Sequence, residues 1–374
     1  GQVTFTQTLI GTALDISGDI DVDGTTNLDV IDVDGAANFA ADVTFAAGAD
    51  IITASTGNGQ NVRVGVDAGG SIASGGNQNV LLGDLAGAAV NTGDGNIAIG
   101  FEAGNDITTG SYNTIMGWKA GDKISTGAQN TAIGDGAIGA DTLGQKSVAV
   151  GSNALNQQNF TTATDSYNVA VGYNAGQGIT TGVNNTLIGG LAGDALTSGG
   201  SNVAIGFQAL STEDAHGNNV AVGYRALKTL NVGATAYNTA VGNDAGLSMT
   251  YGVNNTLVGG LAGDALTGSA DYSGGANNVA VGRAALGADT LGSSSVAIGF
   301  ETLLAQNFTT TTESVNTAVG HRAGLAVTIG VENTLIGGYA GDALTDAGYN
   351  VAIGARALGA DTLGSRSVAI GQGA

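Results

Sequence analysis

Few residues of this chain have types and spacings that could do chemistry. Asp19, Asp21, Asp23 and Gly24 alternate as at the start of a calcium loop, but the twelfth position is Val30, where such a loop needs a bidentate Glu. The Gly/Asp nonapeptide by which other β-rolls hold calcium is also missing. Strand alternation therefore accounts for the run. No metal or cofactor is expected beyond adventitious calcium on an acidic surface. His216 and His321 stand 105 residues apart, and there is no nucleophile elbow, phosphate loop or zinc spacing. Glycan hydrolysis needs paired carboxylates; Glu213, Asp214 and Glu301 are present, but nothing in the sequence brings two of them together. The chain reads as a non-enzyme.

Recognition has better candidates. Phe101, Trp118, Tyr173, Phe207, Tyr224 and Phe300 each follow a Gly directly. Such rings stack on sugar faces or pack against an adjacent chain, and packing is the favoured expectation. Four stretches carry extra residues, 156–167, 229–237, 268–276 and 304–315. Insertions in repeat proteins are loops on one face, often the binding face. The first and fourth share Gln-Asn-Phe-Thr-Thr, at residues 158–162 and 306–310, which adds Phe160 and Phe308 to the candidates.

The elements that must position these groups are written as a repeat. Eighteen times between Asn61 and Ala374 the chain has Asn or Ser, a β-branched residue, any residue, an aliphatic residue and Gly, most often 17 residues apart. So short a period, held so long, predicts an all-β parallel β-solenoid, or β-roll, in which each repeat is one coil. At ~4.8 Å per coil the stack is about 86 Å long. In Asn202-Val203-Ala204-Ile205-Gly206, strand alternation puts Val203 and Ile205 on one face and Asn202 and Ala204 on the other. The β-branched and aliphatic positions are expected to face the core, the Gly to adopt positive φ, and the Asn residues to form an amide ladder.

Seven residues after each block start comes Ala in seventeen of eighteen coils, Thr302 being the exception. The next residue is Gly in ten coils, each with an aliphatic residue three further on, as in Gly104 and Ile107. In seven coils it is Ile or Leu, and the later residue is polar in all but Leu230. One large aliphatic group per coil, supplied by either route, is volume compensation in a close-packed interior. It implies a second short strand per coil.

The chain divides into an N-terminal β segment, 1–60, as stem or attachment, and a solenoid shaft, 61–374. Residues 14–35 alternate apolar with acidic residues and end in Gly, a half-buried strand pattern. Collagen is excluded because Gly lacks a three-residue period among its 66 copies and Pro is absent. A formal charge of -21 repels nucleic acid and anionic lipid. No run of 18 apolar residues would insert in a membrane. Starting at Gly1 and stopping eight residues into its last coil, the chain reads as an excised or processed segment: either a cleaved or deleted C-terminal part once followed, or further coils do.

Ser147-Val148-Ala149-Val150-Gly151, Ser295-Val296-Ala297-Ile298-Gly299 and Ser367-Val368-Ala369-Ile370-Gly371 resemble the head repeats of trimeric autotransporter adhesins. The longer coil, Asn96-Ile97-Ala98-Ile99-Gly100-Phe101-Glu102-Ala103-Gly104 followed by Ile107-Thr108-Thr109-Gly110, is more similar to bacteriophage tail-fibre repeats. The resemblance implies a homotrimeric fibre of the virion tail. Its partners would be itself, other tail proteins and a host cell-surface glycan or protein, contacted weakly and summed by avidity. The alternative is the head of a trimeric adhesin on a bacterial surface. Ice binding would need Thr-x-Thr columns, and the Thr-Thr-Gly turns at Thr108 and Thr180 are too sparse.

Overall fold

A computed structural model describes residues 61–374 apart from 73, 74 and 214, all within the unit Thr53–Ala374. The strand pattern expected over residues 1–60, with Asp19, Asp21 and Asp23, lies outside the described residues, as does Asp214.

The described residues form a parallel β-solenoid and contain no α-helix. Each five-residue block supplies one three-residue strand, and the eighteen strands stack into a single parallel sheet in strict register. Thus Val203, Ala204 and Ile205 lie beside Val220, Ala221 and Val222. The second strand expected in every coil is missing from most of them: among the described residues, two-residue strands occur only at Gly144–Gln145 paired with Thr164–Asp165, and at Gly292–Ser293 paired with Thr312–Glu313. Elsewhere the chain runs through turns, which still pass hydrogen bonds to the next coil, as Gly104 N donates to Ala120 O at 2.9 Å.

The faces of the strand are the reverse of those expected. The third residue is buried in every rung except the first, where it is Arg63. The second and fourth residues, Val203 and Ile205 among them, are nowhere fully buried. Two causes act together. The interior is narrow and accepts one Ala, Leu or Ile at the third position but not two β-branched side chains per rung. The Asn amide must also be inside to reach its partners, and alternation then forces positions two and four outward.

The Asn ladder forms along the stack, uninterrupted where successive rungs both begin with Asn. Asn202 N donates to Asn185 Oδ1 at 3.0 Å, Asn219 N donates to Asn202 Oδ1 at 3.1 Å, and Asn185 Nδ2 donates to the carbonyl of Gly199 at 2.9 Å. Each side chain thus ties its own strand both to the next strand and to the turn that closes its coil.

The block glycines have φ of 128–146°, the conformation expected for them. A Cβ on Gly206 would lie 2.3 Å from the carbonyl oxygen of Gly223, so the column excludes any side chain. Non-glycine residues also take positive φ, which the sequence does not announce. Around Asn202 these are Ser201 at 59°, Gln208 at 54° and Leu210 at 53°, and their equivalents recur in other coils. Such residues cost on the order of 1 kcal/mol each and persist because inter-coil hydrogen bonds over-determine them.

Volume compensation is visible directly. A Cβ on Gly104 would meet Ile107 Cδ1 at 2.8 Å and Ile115 Cδ1 at 3.2 Å. Where Leu or Ile replaces that Gly, as at Ile138 and Leu210, the side chain fills the same space and is fully buried.

Candidate binding surface

The turn after each block Gly forms an edge along the solenoid, and the predicted aromatics project there. Phe101, Trp118, Tyr173, Phe207 and Tyr224 are all between 42% and 60% exposed. Because coils repeat in register, rings from successive coils meet. Phe207 stacks on Tyr224 with centroids 5.8 Å apart, and Phe300 stacks on His321 at 5.3 Å, with Tyr339 edge-on to His321 at 5.1 Å.

Cations interleave with the rings. Lys119, Arg225, Arg283, Arg322 and Arg356 occupy this edge, five of the ten Lys and Arg residues of an acidic chain. Arg225 lies 4.8 Å from the Tyr224 ring centre and grips Asp244 in the next rung with two hydrogen bonds, at 2.8 and 2.9 Å. Glu301 pairs with Arg322 at 2.8 Å and with Arg283 at 3.4 Å. These ion pairs lock side chains between neighbouring coils, and each contributes little stability at the surface.

Phe160 and Phe308 are corrected by the structure. They are 4% and 5% exposed and offer no binding surface. Their insertions repair the Asn ladder where a rung begins with Ser. Gln158 Oε1 accepts from Asn168 Nδ2 at 3.0 Å, the place an Asn oxygen would take, while its Nε2 donates to Asp141 Oδ2 at 2.6 Å and to Ser147 Oγ at 2.8 Å. Asp141 Oδ1 also accepts from the Gly144 and Phe160 amides, at 2.9 and 3.3 Å. Gln306, Asp289, Ser295 and Asn316 repeat the arrangement. Burial raises the Asp289 carboxyl above its usual range, against the opposing pull of the Gln306 amide and the Phe308 and Gly292 backbone donors.

Glu213 and Glu301, the two carboxylates considered for catalysis that are among the described residues, lie on different rungs. Glu213 is fully buried and accepts from His216 N at 3.1 Å, with His216 Nδ1 3.5 Å away; burial raises its carboxyl. Glu301 sits on the aromatic edge, five rungs further along, about 24 Å at 4.8 Å per rung. Asp271, in the third inserted stretch, is held down to about 2 by hydrogen bonds from the Ser269 and Ser273 hydroxyls. Among the described residues no three His, Cys, Asp or Glu gather to hold a metal.

A second ring column escaped the sequence reading. Tyr112, Tyr167, Tyr237 and Tyr349, each directly before a block, are 48% to 62% exposed and have positive φ. The position was legible, since each precedes a block Asn, but a large residue in a left-handed conformation is not something local propensity suggests. Lys146 and Arg366 lie 5.3 Å from the centres of Tyr167 and Tyr349.

No family model and no curated protein matches the chain.

Proposed function

We propose that the chain is the shaft of a homotrimeric virion tail fibre that bridges distance and presents its edges to a host cell surface. The single observation that carries this reading is the outer face of the eighteen-rung sheet, where positions two and four line up Val, Ile, Leu, Met and Thr with none fully buried. An apolar strip of this continuity calls for a cover. Three copies meeting along it would bury one another's strips and add a common core to an interior that holds only a few medium-sized side chains per coil. The repeats that resemble tail fibres supply the choice of three copies and of a virion.

Repetition suits weak attachment. Edges carrying rings and cations at coil spacing offer many equivalent low-affinity contacts, which a particle bearing several fibres would sum. Gold-labelled antibody against the solenoid is expected to mark the tails of virus particles in electron micrographs, and excess purified protein to slow adsorption to the host. Label confined to a bacterial outer surface, with no particles present, would replace this reading with the adhesin.

A further inference from the structure

We propose that the notch beside Trp118 is a binding site for a neutral saccharide, with one pyranose ring against the indole. The notch comes from missing side chains. The coil that starts at Asn130 has Gly136 and Gly139 where other coils carry side chains at one or both positions, and it alone among the coils that contain both positions lacks both. The open groove that results has a volume of about 320 Å³ and lies between the coil of Trp118, Lys119 and Asp122 and the coil of Asn153 and Asn156. That volume is at the small end of ligand sites and suits one or two sugar rings.

The lining has two kinds of chemistry. Trp118 is 55% exposed and supplies a flat apolar face. Around it stand hydrogen-bonding groups for hydroxyls: the carboxylates of Asp122 and Asp135, and the amides of Asn153 and Asn156. Asn156 is held by its own bond, Nδ2 to Gly136 O at 2.8 Å, and Asn153 by Nδ2 to Asn174 Oδ1 at 3.3 Å. A point one Cβ above Gly136 lies 2.9 Å from Asn153 Oδ1, so that acceptor borders the floor.

Charge narrows the ligand. Lys119 is committed to Glu102 of the preceding coil at 3.1 Å and Lys123 lies 3.7 Å from Asp122, which leaves Asp135 as the carboxylate with no cation beside it to repel acidic sugars. A quaternary ammonium is disfavoured because Lys119 Nζ already lies 5.0 Å from the Trp118 ring centre and fills the cation's role. The fold does not require this lining. In the duplicated coil at Asn278 the glycine recurs as Gly287, but Gly260 stands where Trp118 does and Leu304 where Asn156 does.

The site is testable because Trp118 is the sole tryptophan, so its fluorescence reports on the notch alone. Neutral oligosaccharides of glucose, galactose and N-acetylglucosamine are to be titrated into the full chain, with sodium galacturonate and choline chloride as counter-probes. A saturable emission shift with at least one neutral sugar and neither counter-probe is expected. Gly136→Asn fills the notch without backbone cost, since Asn153 and Asn174 hold the equivalent position at φ 55° and 53°. It should weaken binding by about tenfold or more, 1.4 kcal/mol. No response to any neutral sugar, an equal response to galacturonate or choline, or unchanged affinity in Gly136→Asn each overturns the site. Only the origin of the sugar, a host surface, rests on the attachment reading. Binding to host cells with no sugar response overturns this site and leaves attachment standing; a sugar response without cell binding supports the site and removes attachment.

Discussion

At the residue scale, the first-position Asn side chain does most to hold one coil to the next. Asn185 Oδ1 accepts the Asn202 amide, and its Nδ2 donates to Gly199 O and, more weakly at 3.3 Å, to Asn168 Oδ1. Asn185→Ala would leave a buried amide and a buried carbonyl unpaired, and is expected to cost about 2–4 kcal/mol in chemical denaturation. Asn185→Ser should cost nearly as much, because the Ser rungs inside the stack, at Ser147 and Ser295, depend on Gln158 and Gln306 to replace the lost amide. A cost within 0.5 kcal/mol of zero, about that of an ordinary surface change, would show that the ladder is incidental. Glu213 gives a pH test. Burial raises its carboxyl, so the folded chain holds that proton more tightly than the unfolded chain. Stability therefore falls as pH rises from the ordinary carboxyl value through the raised one. Glu213→Gln keeps an acceptor for the His216 amide and removes the charge, so melting temperature measured from about pH 4 to 7 should fall less steeply than in the parent, the buried Asp289 keeping its own share. The same slope in the variant would mean that another group carries it.

At the element scale, the coil has one interior space and two ways to fill it. Gly104→Leu alone should overfill the space occupied by Ile107 and Ile115 and destabilise by about 1–3 kcal/mol. Adding Ile107→Ala should recover much of that loss, since natural coils such as that of Leu210 fill the space from this position. Strict additivity of the two changes in denaturation would contradict shared occupancy. The alternation of Gly-then-Ile with Leu-then-polar was legible in the sequence because both forms occur side by side in one chain. Which face of the strand is interior was not. Val203 and Ile205 have the composition of a core and Asn202 that of a surface, and the narrow interior and the inter-coil bonding of the amide together reverse them. The aromatic edge was legible from its place after the Gly. Phe160 and Phe308 were misplaced because an insertion that refills a buried ladder looks, in sequence, like an exposed loop.

At the scale of the whole molecule, the outward strip and the charge oppose each other. Each copy carries -21, so a trimer brings together about three times that charge, and its association should strengthen as salt screens the repulsion. Ile205→Asp with Val222→Asp places carboxylates on the strip without touching the buried Ala204 and Ala221, and should weaken association while leaving the β circular-dichroism signal intact. The most direct test is the molar mass of the intact protein by sedimentation equilibrium over a wide concentration range. A species of three times the 36.2 kDa chain, shifted toward smaller masses by the double substitution, is the predicted result. A single-chain mass at every loading, for a protein with the expected β signal, would contradict it.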